Sequence, residues 1–141
     1  MITKAMLRGA CPEQRKIFLR EWPKGAEVTL ENVQRAVELG LDLGWGLRWF
    51  TPAARAEYER QVALLWAEYK RQIAPVQAEY KREVALVPAE YEWEVAPVQA
   101  EYERQVALLW AKYERQMAPA QAEYKRQMAP LWFAAAKESG L

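Results

Sequence analysis

AEYKRQIAPVQAEYKREVALVP, residues 67–88, states nearly the same eleven residues twice and sets a proline inside what otherwise reads as a strong helix. Cutting the chain at each Ala-x-Tyr extends the pattern both ways: AEYERQVALLW, AEYKRQIAPVQ, AEYKREVALVP, AEYEWEVAPVQ, AEYERQVALLW, AKYERQMAPAQ and AEYKRQMAPLW, from Ala56 to Trp132. Seven copies follow one another without an insertion. A single indel would destroy that phase, so the period is a property the structure must use.

At about 100° per residue, repeat positions 3, 7 and 10 fall within a sector of roughly 60° on a helix. The resulting stripe is Tyr58, Val62 and Leu65; Tyr69, Ile73 and Val76; Tyr80, Val84 and Val87; Tyr91, Val95 and Val98; Tyr102, Val106 and Leu109; Tyr113 and Met117; then Tyr124, Met128 and Leu131. Trp66, Trp110 and Trp132 lie beside it at position 11, alternating with Gln77, Gln99 and Gln121. Eleven residues in three turns is about 3.67 per turn, which keeps a stripe in line under a gentle right-handed supercoil. The expected fold is all-α: a small helical head, residues 1–50, then a long proline-kinked helix over 51–138 that joins a right-handed or nearly straight hendecad coiled coil, with a short tail at 139–141.

A single helix from Pro52 to Trp132 would be about 120 Å long at 1.5 Å per residue. It cannot bury its stripe on a fifty-residue head, so partner helices are required, from other copies or from the chain folding back. Glu at position 2 and Arg at position 5 form i,i+3 pairs, Glu57 with Arg60 through Glu123 with Arg126, which solubilise the outer face. Pro75, Pro97, Pro119 and Pro130 share position 9, roughly 120° from the stripe's centre. A proline there removes one backbone bond but leaves side-chain packing on the seam alone, so these residues read as regular bends. Pro88 departs from the register, and the helix is expected to be most disturbed there.

In the head, Pro12 stands at a first helical position before Ile17, Phe18 and Trp22. Thr29 is the expected N-cap of a second helix carrying Val33, Ala36 and Val37, and Gly40 its stop. Asp42 caps a third short helix with Trp45, Trp49 and Phe50. Thr51 before Pro52 opens the repeats, and Ser139 with Gly140 closes them. Fifty residues in three short helices form a marginal core, so their apolar sides are expected to pack on the following helix or on another chain. Phe18, Trp22, Trp45 and Trp49 are the head's core or its partner contacts, with the core favoured.

Net charge is +1, divided between nine basic and six acidic residues in 1–55 and ten basic against twelve acidic in 56–132. Neither part is a basic arm, and no nucleic-acid partner is expected. The tyrosine ladder is read as packing rather than as a stacking platform for bases. The glutamates recur beside arginines on a solvated face, and the chain has no histidine. No catalytic residue, metal site or cofactor is therefore expected. Cys11, the one cysteine, is expected to be a small buried residue. The opening MITKAMLRGACPEQRKIF holds no apolar run of signal-peptide length, and nowhere do about 18 uncharged apolar residues occur together. The default location is the cytoplasm.

Pro52, Pro75, Pro97 and Pro119 recur at intervals of 22 or 23 residues. In this rhythm residues 52–132 resemble the exchangeable apolipoproteins, whose paired eleven-residue units lie on lipid surfaces. That resemblance implies a lipid partner, although here Ala at positions 1 and 8 and Arg at position 5 occupy the polar face where those proteins carry acidic residues. The head segment GACPEQRKIFLREWPKGAEVTLENVQRAVELGLDLGW, followed by TPAARAEYERQVALLWAEYKRQIAPVQAEY, resembles uncharacterised bacterial and phage-type proteins that join a short head to tandem AEYxxxxAPxx repeats. It implies an architecture and carries over no catalytic residue. The expected function is non-enzymatic and structural: a homo-oligomeric bundle or filament-like scaffold joined through the seam. The alternatives are peripheral lipid binding by the same face, or a partner-recognition head with the repeats as spacer.

Overall fold

The computed structural model describes residues 1–87 and 97–141; Pro88, Tyr91, Val95 and the side chain of Val98 lie outside them. The chain is all-α. A 3-10 turn, Lys4–Leu7, precedes α1 (Pro12–Glu21), α2 (Leu30–Glu38), a second 3-10 segment (Leu43–Trp49), α3 (Pro52–Leu86) and α4 (Pro97–Glu138). Among the described residues the extended pairing is one antiparallel bridge, in which Ile2 and Ala26 exchange backbone bonds of 2.7 and 2.9 Å. None of the described helices is long and apolar enough to cross a membrane.

Local chemistry sets the helix ends where the sequence places them. Pro12 opens α1 at a position whose missing N–H costs no helical bond. The Thr29 hydroxyl accepts from the Asn32 N–H at 3.1 Å, the Asp42 carboxylate from the Gly44 N–H at 2.8 Å, and the Thr51 hydroxyl from the Ala54 N–H at 3.3 Å. At the end of α2, Gly40 takes φ 74°, and the Gly40 and Leu41 N–H groups donate to Val37 and Ala36 carbonyls. This Schellman closure favours a residue without Cβ. Cys11 departs from expectation. It is exposed, because it is the non-helical residue just before Pro12, where the chain enters α1 at the surface.

The chain divides into two compact units, one combining Met1–Trp66 with Tyr124–Leu141 and the other Ala67–Glu123. In the first, the head does not close on residues 1–50 alone. Val28, Val33, Leu43 and Phe50 share one buried cluster with Ala54 and Tyr58 of α3 and Ala129, Trp132, Ala135 and Ala136 of α4. The head's apolar sides are thus covered by the chain's own two long helices. Four alanines in that cluster let the helices approach closely. Trp132 supplies the bulk: it is 2 % exposed, and its Nε1–H donates to the Leu43 carbonyl at 2.9 Å. Its ring packs against Phe50 at 5.2 Å between centroids, and Phe50 meets Tyr58 edge-on at 6.0 Å. A second cluster of Leu7, Phe18 and Ala26 gathers the partly buried Trp22 and Trp49.

Within this unit α3 and α4 run antiparallel. The Thr51 N–H donates to the Ser139 hydroxyl at 2.9 Å, and further along Trp66 meets Tyr124 at 5.6 Å. In the second unit Tyr69 and Ile73 of α3 and Tyr113 and Met117 of α4 are buried. There Tyr80 packs edge-on against Trp110 at 5.3 Å and Tyr113 at 5.5 Å.

Of the residues read as bends, Pro75, Pro119 and Pro130 lie inside helices that continue through them, while Pro97 is the first residue of α4. The exposure of position 9 explains the continuity. The prolines give no N–H to Arg71, Arg115 and Arg126, four residues earlier, and those residues are exposed, where water reaches the backbone.

Candidate functional site

The eleven-residue frame sorts the repeat surface into a packed face and an outer one. Tyr58, Tyr69, Ile73, Tyr113, Met117 and Trp132 are buried within this one chain. Val62, Leu65, Val76, Tyr80, Val84, Val87, Val106, Leu109, Tyr124, Met128 and Leu131 are half-buried. Trp66, Tyr102 and Trp110 remain exposed. Tryptophan at position 11 follows a local rule: Trp66 meets Tyr124 and Trp110 meets Tyr80, each a position-3 tyrosine of the facing helix.

The Tyr113 hydroxyl reaches a carboxylate of the facing helix. Tyr113 donates to Glu83, and Lys112 lies 3.1 Å from the same oxygen. These two bonds hold the Glu83 carboxyl below its usual range, while burial, followed by the Glu83 contact, raises the Tyr113 phenol. Glu83 stands where five of the other six copies have glutamine, and Lys112 where the other copies have glutamate. Two departures from the repeat therefore meet as a pair.

On the outer face Glu57 reaches Arg60 at 2.7 Å and Glu101 reaches Arg104 at 2.6 Å, with Glu68–Arg71 and Glu79–Arg82 closed in the same way. The position-6 glutamines Gln61, Gln72 and Gln105 add a second donor to each glutamate. Arg60 and then Gln61 lower the Glu57 carboxyl to about 2. Between these pairs stand leucines that the periodicity did not single out: Leu64 is 59 % exposed, Leu86 78 % and Leu108 62 %. They occupy position 9, the register of the prolines. Their signal in the sequence was an apolar residue in a register that otherwise carries only proline.

The candidate site is a groove of about 480 Å³ in the first unit. Tyr58, Val62, Tyr124 and Met128 line it from α3 and α4, Leu41, Leu43 and Leu47 from the head, and the 45 % exposed Trp66, whose ring meets Tyr124 edge-on, completes it. Its polar groups are already engaged. Asp42 caps Gly44, and Glu59 pairs with Arg55 at 2.7 Å. Among the described residues no cluster of three or more His, Cys, Asp or Glu could hold a metal. What the groove offers is apolar contact area with an aromatic edge.

Burial, with smaller contributions from Tyr124 and Asp42, pushes the Tyr58 phenol up to about 12, and burial also raises Tyr124. An unfolded tyrosine titrates near 10. The native state therefore holds its proton more tightly. The stabilisation is complete below about pH 10 and is lost as pH rises through 12. Denaturation midpoints measured from pH 9 to 12 are expected to fall more steeply for the wild type than for Tyr58→Phe. No known family model, curated protein or solved structure matches the chain.

Proposed function

We propose that this protein is a non-enzymatic scaffold that assembles with copies of itself, position-9 leucines of one copy seating in the Trp66 groove of the next. In this reading the hendecad stripe works within the chain, joining α3 to α4 as an intramolecular coiled coil. Assembly falls to the outer face. The observation that carries the proposal is the coexistence, on one chain, of an apolar groove and leucines left 59–78 % exposed.

Full burial of one leucine contributes about 1.5–3 kcal/mol, so repeated knobs supply a useful driving force. The knobs are flanked by Glu–Arg pairs that neutralise one another, and the chain's net charge is +1, so copies meet little electrostatic repulsion. Knob and groove are different surfaces. Such a heterologous contact propagates into a ring or a filament rather than stopping at a dimer.

Sedimentation velocity tests this directly. The wild type is expected to form concentration-dependent species larger than a dimer. Leu64→Glu/Leu86→Glu/Leu108→Glu removes the knobs and Leu47→Glu spoils the groove, and each variant alone is expected to stay monomeric. Mixed, they are expected to form a one-to-one complex, because each retains the surface the other lacks. A wild type that stays monomeric, or floats with phosphatidylcholine vesicles instead of sedimenting as an assembly, would refute the proposal.

A further inference from the structure

The head encloses a second, smaller space that the assembly reading does not use. It has a volume of about 130 Å³, and its walls include Leu7, Phe18, Val33, Trp45 and Trp49. An engineered apolar cavity of about 150 Å³ takes up benzene, so this one is of ring size. Cys11 and Arg15, both exposed, also line it, so it reaches the surface between buried wall and solvent.

One wall residue is chemically unfinished. The Trp45 Nε1–H is buried and has no hydrogen-bond acceptor among the described residues. Buried donors are paired as a rule, because leaving one unmade forfeits its hydration with nothing in return. Trp132, another buried indole of the lining, follows the rule by donating to the Leu43 carbonyl. None of the polar side chains in the lining bonds the Trp45 N–H. Gln14 donates to the Gly40 carbonyl and accepts from the Asp42 N–H, and Asn32 donates to the Glu27 carbonyl. The Arg48 guanidinium lies 3.3 Å from the Trp45 ring centre and brings only further donors.

We infer that this cavity is a binding site for a small, mostly apolar molecule of ring size carrying one hydrogen-bond acceptor, which the Trp45 indole N–H engages. The mostly apolar lining and the small volume favour a compact, uncharged ligand. A lone acceptor on an apolar body matches both the lining and the single donor, as in an aryl ketone.

Acetophenone and ethylbenzene, nearly equal in size and differing in the acceptor, are suitable probes. In ¹⁵N-edited spectra, millimolar acetophenone is expected to move one indole N–H resonance, the one absent from Trp45→Phe. Wild type is expected to bind acetophenone about tenfold more tightly than ethylbenzene, the equivalent of one good hydrogen bond. Trp45→Phe is expected to bind the two alike, and Ala10→Leu, which fills the wall, to bind neither. No indole response to acetophenone, or equal affinity of wild type for both probes, would overturn the inference. If Trp45→Phe fails to fold, Ala10→Leu decides: an indole shift that survives it places acetophenone elsewhere.

Discussion

Trp132→Ala is expected to lower the stability of the first unit by about 3–5 kcal/mol, the range for deleting a large buried aromatic side chain. The indole is 2 % exposed, packs on Phe50 and satisfies the Leu43 carbonyl, so alanine leaves both a cavity and an unpaired acceptor. Small domains hold about 5–15 kcal/mol in total, so the urea midpoint should fall by a large fraction. Trp66→Ala is the control. It removes the same residue from the same repeat position, but one that is 45 % exposed with an edge contact to Tyr124, and it should cost far less. Equal effects from the two variants would show that Trp132 is not the link between head and helix.

That contrast shows how far the sequence could be read. The all-α class and the helix starts at Pro12, Thr29, Asp42 and Thr51 follow from local chemistry, and the structure carries each of them. Periodicity identifies a face that must be covered, but it is silent on what covers it. Trp66 and Trp132 are equivalent in the repeat, and only the tertiary fold makes one a rim residue and the other the centre of a core. The same gap applies to Cys11, whose size suited burial while its place before Pro12 put it at the surface.

Other features were written in the sequence but could be read only in pairs. The tryptophans at position 11 look irregular along the chain and become regular once Trp66 faces Tyr124 and Trp110 faces Tyr80. Glu83 and Lys112 look like two unrelated lapses from the repeat until they meet at 3.1 Å. A repetitive seam can slip by whole units, because each copy presents nearly the same stripe. A charge pair made from such residues helps to discriminate between registers, since a shift by one copy toward the start of α3 would set Lys112 against Gln72. The prolines are legible in the same way: position 9 is outside the seam, and the residues four places earlier are exposed arginines.

Gly46→Ala is expected to cost about 1–3 kcal/mol, the range for overpacking a well-filled core, although it adds a single methyl group. A Cβ at Gly46 would lie 2.5 Å from Cζ2 of Trp132 and 3.1 Å from its Cε2, distances at which something must move. The indole cannot swing aside cheaply, since its N–H is fixed on Leu43 and its ring on Phe50. If this one contact is the cause, the cost should be cancelled in a background that lacks the indole. Gly46→Ala in Trp132→Leu should then be nearly neutral, giving a coupling of about 1–3 kcal/mol in a double-mutant cycle followed by urea unfolding. Additive effects would mean that Gly46 is required for its own 3-10 segment and not for its fit to α4. Coupling would mean that the head folds only against the end of the long helix, so that residues far apart in the sequence stabilise one cooperative unit.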